Sequence, residues 1–123
     1  MKLILCFLVS VLFFSCQQSN NDHNIYGKWR VKFNSGPMAE VRFHNKGTHD
    51  YYVDGKLFSS GKSIFKNDTL KSYDPICDGN GEYYGTYKID FLSGDSIRFN
   101  AIEDSCEPRR FDMDGAVLHR IKK

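Results

Sequence analysis

The sequence has little of what helices are built from. From Cys16 onward it contains three alanines and four leucines, and helix propensity is correspondingly poor. It has no hydrophobic run of the roughly 20 residues that a membrane-spanning helix needs; Leu3 to Phe14 makes twelve, interrupted by Ser10. No charge dominates either, with 17 Lys+Arg against 15 Asp+Glu, so nothing favours nucleic acid or an acidic polymer as partner. Chemistry-bearing motifs are also missing. There is no Gly-x-Ser-x-Gly nucleophile elbow, no glycine-rich phosphate loop ahead of a helix, and no Cys-x-x-Cys or Cys/His spacing of the kind zinc requires. At 123 residues the chain has room for one domain. These absences argue against a multidomain enzyme, a helical membrane protein and a nucleic-acid binder, and no enzyme activity, cofactor or metal is expected.

What is present begins at the N-terminus. Lys2, the apolar stretch Leu3–Phe14 and the small Ser15 have the layout of a secretory signal. Followed by Cys16, Leu12-Phe13-Phe14-Ser15 resembles the lipobox of bacterial lipoproteins, whose cysteine is lipidated and becomes the first residue. The resemblance implies a signal over residues 1–15, a lipid anchor on Cys16, and a place in the bacterial cell envelope, on the outer membrane, facing the periplasm or the surface. A cut before Cys16 leaves 108 residues with 16 basic and 15 acidic side chains. Residues 17–24 contain no apolar side chain. Residues 16–24 therefore read as a flexible tether to a domain over 25–123.

Cys6 falls within the signal, which leaves Cys77 and Cys106, an even number in an oxidising compartment, so a disulfide is expected. The segments 83–91 and 96–103 look like strands joined at Leu92-Ser93-Gly94-Asp95. In such a hairpin paired positions have a nearly constant index sum, here about 186, which brings Cys77 within three residues of the position opposite Cys106. Closing that loop of 30 residues is worth about 3.6 kcal/mol in the chain-entropy model, a large share for a small domain.

From Ile25 the text is β-like. Trp29, Val31 and Phe33 alternate with Lys28, Arg30 and Lys32; Val41 and Phe43 with Glu40, Arg42 and His44. Tyr83, Gly85, Tyr87, Ile89 and Phe91 share one face against Thr86, Lys88 and Asp90, and Ile97, Phe99 and Ala101 face away from Ser96, Arg98 and Asn100. Each strand has a dry and a wet side, as when one sheet wraps a single core. Turn signals recur at short intervals, among them Asp54-Gly55, Lys66-Asn67-Asp68 and Ser93-Gly94-Asp95. About eight strands are predicted, over 26–33, 38–44, 48–53, 57–65, 69–73, 83–91, 96–103 and 115–122, with 57–65 open to division in two and no helix longer than a turn or two. The expected fold is all-β, an antiparallel barrel.

Gly27-x-Trp29 on the first strand and Arg120 on the last resemble the lipocalin (calycin) arrangement, in which an arginine from the closing strand stacks on the tryptophan at the closed end of the barrel. The second half resembles small bacterial lipocalin-like lipoproteins, through Cys77, Gly85-Thr86-Tyr87, Asp104-Ser105-Cys106-Glu107-Pro108-Arg109 and the closing Val117–Ile121. The resemblance implies a lipocalin-like barrel and names no ligand. With 99 residues the domain is shorter than most lipocalins, and an eight-stranded barrel can be filled by its own side chains or hold one small ligand.

His44 and His49 flank Asn45-Lys46-Gly47 beside Asp50, but pairing of 44 with 48 sends His49 to the opposite face from His44; solvated hairpin-tip residues are expected there rather than a metal site. His119 reads as a partly buried, hydrogen-bonded side chain, and Asp78-Gly79-Asn80-Gly81 as a turn. Trp29, Phe33, Phe43, Tyr51, Tyr87, Phe99 and Phe111 form the expected inward aromatic group. Phe33, Phe43, Tyr51, Tyr87, Phe99 and Phe111, with Arg109 for orientation, are the candidate lining of a cavity. Arg109 is otherwise expected to pair with Asp104, and Tyr52, Phe58 and Tyr84 to face outward as a contact patch. The expected function is non-enzymatic binding of a small apolar or amphipathic ligand by a monomer, with a protein-interaction or inhibitor module as the alternative. A cavity above about 300 Å³ would favour the first, a filled interior with exposed aromatics the second.

Overall fold

The computed structural model describes residues 23–77 and 81–122. Residues 1–22, on which the expected signal, the expected lipidation of Cys16 and most of the expected tether fall, and residues 78–80 of the expected turn lie outside the described residues.

Eight strands close into one antiparallel barrel in sequence order: β1 (Gly27–Lys32), β2 (Met38–His44), β3 (Thr48–Val53), β4 (Lys56–Lys66), β5 (Thr69–Tyr73), β6 (Gly85–Ser93), β7 (Ser96–Glu103) and β8 (Val117–Arg120). Closure is made by β1, which pairs with β2 through Trp29↔Val41 and with β8 through Trp29↔Arg120. Tight turns set the register. Asp54-Gly55 and Asn67-Asp68 all take positive φ, the geometry whose twist matches two-residue hairpins and which Asn, Asp and Gly tolerate best. Alternation then buries Trp29, Val31, Val41, Phe43, Leu70, Tyr87, Ile89, Ile97, Phe99 and Leu118 in one core.

The two ends of the barrel differ. At the base, where the turns 45–47, 67–68 and 93–95 gather, the segment 23–26 crosses the opening. Ile25 is buried there, its carbonyl accepts from Trp29 Nε1 at 2.7 Å, and the Arg120 guanidinium lies 4.2 Å over the Trp29 ring while donating to Tyr26 O at 2.7 Å. His23 and Asn24, expected in the tether, are already placed against the barrel: His23 stacks on Phe91 at 4.5 Å, and Asn24 O accepts from Arg120 Nη2 at 3.3 Å.

The opposite end is capped. A 3-10 turn at Pro75–Cys77 and a short helix, α1 (Glu107–Met113), lie over it. Pro108 in the first turn and Glu107 at the positive end of the dipole suit a helix start. The Cys77–Cys106 disulfide joins these two pieces, with Cα atoms 5.6 Å apart. The β1–β2 turn latches α1 from the other side, as Asn34 Nδ2 donates to Phe111 O and Asp114 O at 2.9 and 3.0 Å.

Several expected boundaries shift. The stretch expected as 57–65 is a single long strand, β4, with a register shift opposite Tyr51/Tyr52. Tyr83 and Tyr84 precede β6, and β8 is four residues rather than eight. The β6–β7 register, at Ile89↔Phe99, has an index sum of 188, and neither cysteine lies on a strand. The disulfide forms because the 3-10 turn and the start of α1 meet above the barrel, not because the hairpin extends to them.

Candidate functional site

Beneath the cap lies a buried chain of polar side chains. Helix α1 turns Arg109 and Met113 inward, four residues apart and therefore on one face. Arg109 Nε donates to Asp104 Oδ2 at 2.7 Å and Nη2 to Asp104 Oδ1 at 2.9 Å, a two-point pairing that suits the planar guanidinium. Its Nη1 reaches Asp74 Oδ2 at 3.2 Å. Asp74 Oδ1 in turn accepts from His49 Nε2 at 2.7 Å, and His49 Nδ1 sits 2.5 Å from Ser63 Oγ. The Tyr87 hydroxyl donates to Asp104 Oδ2, and the Cys106 amide donates to Asp104 Oδ1 at 2.9 Å. His49, Ser63, Asp74, Asp104 and Arg109 are all buried. Among the described residues, every buried side-chain nitrogen and oxygen has a partner.

Environment fixes the charge states of the ion pairs. Burial pushes Asp74 upward, but the His49 hydrogen bond and charge, then Arg109, outweigh it and hold the carboxyl below its ordinary value. Asp104 is likewise held low: burial opposes ionisation, and the hydrogen bonds from Arg109, Tyr87 and the Cys106 amide overcome it. Tyr87 is raised by burial and by its bond to Asp104. It stays a neutral donor.

Two glycines make room for this chain. A Cβ on Gly85 would stand 2.6 Å from Asp104 Cγ and 2.8 Å from Arg109 Nη2. On Gly61 it would stand 1.9 Å from Tyr73 O and 2.8 Å from His49 Nε2.

A pocket of about 70 Å³ opens above the chain, lined by Phe33, Tyr51, Phe58, Ile76, Arg109 and Met113 among others. The structure thus brings Phe33, Tyr51 and Arg109 together at the mouth. Phe43, Tyr87 and Phe99 lie in the core, where Phe99 contacts the other two with ring centroids 6.3 and 5.7 Å away. Phe111 corrects the expectation: it is 64% exposed. It is expected among the inward aromatics, but it sits on α1 two residues from Arg109, which on a helix is the other side. His49 corrects it in the opposite direction. It pairs with Phe43, whose side chain is inside, so His49 is inside and fully buried instead of solvated. His119 is exposed, because Leu118 takes the inward position. Phe58 faces outward as expected, while Tyr52 and Tyr84 are half-buried; Tyr52 lies under the Arg42 guanidinium at 4.2 Å.

Ser63, His49 and Asp74 form a hydroxyl–imidazole–carboxylate line, the set of groups that hydrolases use. Its placement is that of a structural element. Ser63 and His49 are buried and do not line the mouth pocket, and the second oxygen of Asp74 is already taken by Arg109. No cluster of metal-binding side chains occurs among the described residues, and none of their helices is long and apolar enough to cross a membrane. The chain matches no known family, no curated protein and no solved structure.

Proposed function

We propose that this protein is a non-enzymatic, lipid-tethered module of the bacterial cell envelope that acts by binding another protein at the capped end of a filled, lipocalin-like barrel. The observation that carries the reading is the state of the mouth. Where a ligand-binding barrel is open, this one holds a satisfied ion chain, a latched helix and, in the barrel mouth, a pocket of about 70 Å³; the larger hollow of about 870 Å³ beside the disulfide is lined by the cap and its flanking loops and by no barrel strand. Small-molecule sites run to about 300–1,000 Å³. The surface above carries exposed apolar side chains among charged ones: Leu57, Phe58, Ile76 and Phe111 are all exposed on or beside the cap, and exposed aromatics around a small pocket are what protein interfaces use as anchors. The lipocalin-like character rests on Gly27-x-Trp29 and the Arg120 stack, and the envelope location on the lipobox-like residues before Cys16.

A second reading, binding of a small apolar ligand, is favoured by one observation: Phe33, Tyr51 and Arg109 converge on that pocket, which would have to widen by movement of α1. Native mass spectrometry of the protein taken from its own envelope separates the two. A bare mass is expected, with photo-crosslinks to a single partner from position 58 or 111 and none from the barrel wall. A retained small molecule would replace the first reading with the second.

A further inference from the structure

The two ends of the barrel carry different charge, and the chain's own course says which end is held near the membrane. We propose that the base of the barrel, around Lys28, Lys46 and Lys66, is a docking surface for the anionic headgroups of the membrane to which Cys16 is anchored, so that the capped end points away from it. The proposal rests on the lipid tether put forward above.

Three observations support it. The first is reach. His23 is fixed against Phe91 at the base, and only residues 17–22 separate it from Cys16. Seven residue steps span at most about 25 Å when fully extended. The base is thereby confined within about three Debye lengths of the headgroups, roughly 8–10 Å each, while the cap stands on the far side of the barrel.

The second is charge. Lys28, at the start of β1, Lys46, in the β2–β3 turn, and Lys66, ahead of the β4–β5 turn, are exposed and make no ion pair among the described residues. The nearby acids are partly occupied: Asp95 pairs with Lys122 at 2.8 Å. At the cap the exposed charges are mixed, Asp54, Glu103, Glu107 and Asp114 against Lys32, Lys56 and Arg110, with no net excess of base. Basic side chains close to an anionic leaflet contribute about 1 kcal/mol each, about fivefold per lysine in favour of the facing orientation.

The third is the apolar content of the base. Tyr26 and Leu92 are partly exposed there, and a tyrosine with lysines around it suits the headgroup region, where ring and ammonium each find their medium. Lipid headgroups are the one partner that the tether itself brings to this surface at high local concentration.

The test uses the intact lipidated protein in vesicles of phosphatidylethanolamine with or without phosphatidylglycerol. Exposed amines are labelled with a water-soluble reagent and read by peptide mass spectrometry. Lys28, Lys46 and Lys66 are expected to label about tenfold more slowly on the anionic vesicles than Lys32 and Lys56 at the capped end. The Lys28→Gln/Lys46→Gln/Lys66→Gln variant, altered only on the surface, should let Lys122 label as on neutral vesicles. Equal labelling of all five lysines, with an acylated Cys16 peptide in the same digest, overturns the orientation and leaves the anchor standing. An unacylated Cys16 peptide overturns the anchor, and the orientation with it.

Discussion

Arg109 and Asp104 meet at two points, Nε to Oδ2 at 2.7 Å and Nη2 to Oδ1 at 2.9 Å, with both side chains almost wholly buried. Removing one partner of such a pair leaves an uncompensated buried charge, here on Asp104, while Asp74 keeps His49 and loses its second partner. Arg109→Met should therefore lower the unfolding free energy by about 3–5 kcal/mol, measured by chemical denaturation. Arg109→Lys should recover only part of it, since an ammonium cannot make the forked contact. A loss below 1 kcal/mol for Arg109→Met would mean that the pair does not hold the cap.

The glycines beneath that pair offer a graded series. Gly85→Ala forces a methyl against Asp104 and Arg109, and Gly61→Ala forces one against the Tyr73 carbonyl. Each should cost about 1–3 kcal/mol, with Gly61→Ala the worse because backbone cannot yield. Gly94→Ala, with nothing within 4 Å, should be neutral. Thermal unfolding of the three variants checks the order.

Acid should weaken the fold in a defined direction. Asp74 and Asp104 have folded values below their ordinary value of 3.8, so each binds its proton less readily folded than unfolded. Their contribution is fully present above that ordinary value and is lost as pH falls through the depressed folded values. Stability should be level on this account from neutrality to about pH 5 and decline below pH 4. Asp104→Asn should be less stable at neutral pH and show a shallower acid decline, as followed by denaturant midpoints across pH.

The disulfide ties the 3-10 turn to α1 across a sequence separation of 29. Cys106→Ser, or reductant on the wild type, should lower the melting temperature, with a cost of about 3.6 kcal/mol in the chain-entropy model. A melting temperature that ignores reductant would refute the bond.

Two aromatic deletions should part company. Trp29→Ala removes a side chain with no exposure and the platform for Arg120, at a cost of about 3–5 kcal/mol. Phe111→Ala removes one that is mostly outside and should change stability by less than about 0.5 kcal/mol. Its effect, if the cap is an interface, should appear in partner binding alone.

Much of the barrel was legible in the sequence because a strand's period of two is rigid: once Trp29 is inside, Val31 must be, and Asp54-Gly55 can hardly be anything but a hairpin turn. The same rule held the answer for His49, whose opposite number Phe43 is plainly apolar; polarity was allowed to outvote parity. The cap was harder to read. Pro75–Cys77 and α1 are too short for periodicity to register, so no local pattern told which way Phe111 points. Asp74 follows a strand whose own pattern says nothing about its surroundings, and its partners Arg109 and His49 stand 35 and 25 residues away. Only the folded barrel brings them together.

Closure of the sheet has a consequence for crowding. Copies of a protein at high local concentration meet often, and an unpaired strand would invite pairing between them. Here β1 is bonded on both sides, so such a neighbour finds no free edge. The seam is narrow, three residue pairs between β1 and β8 and three between β7 and β8, and Arg120 clasps it at the base. A lesion that frees β8 would expose two edges at once, which makes the last strand the place where loss of fold would become self-association.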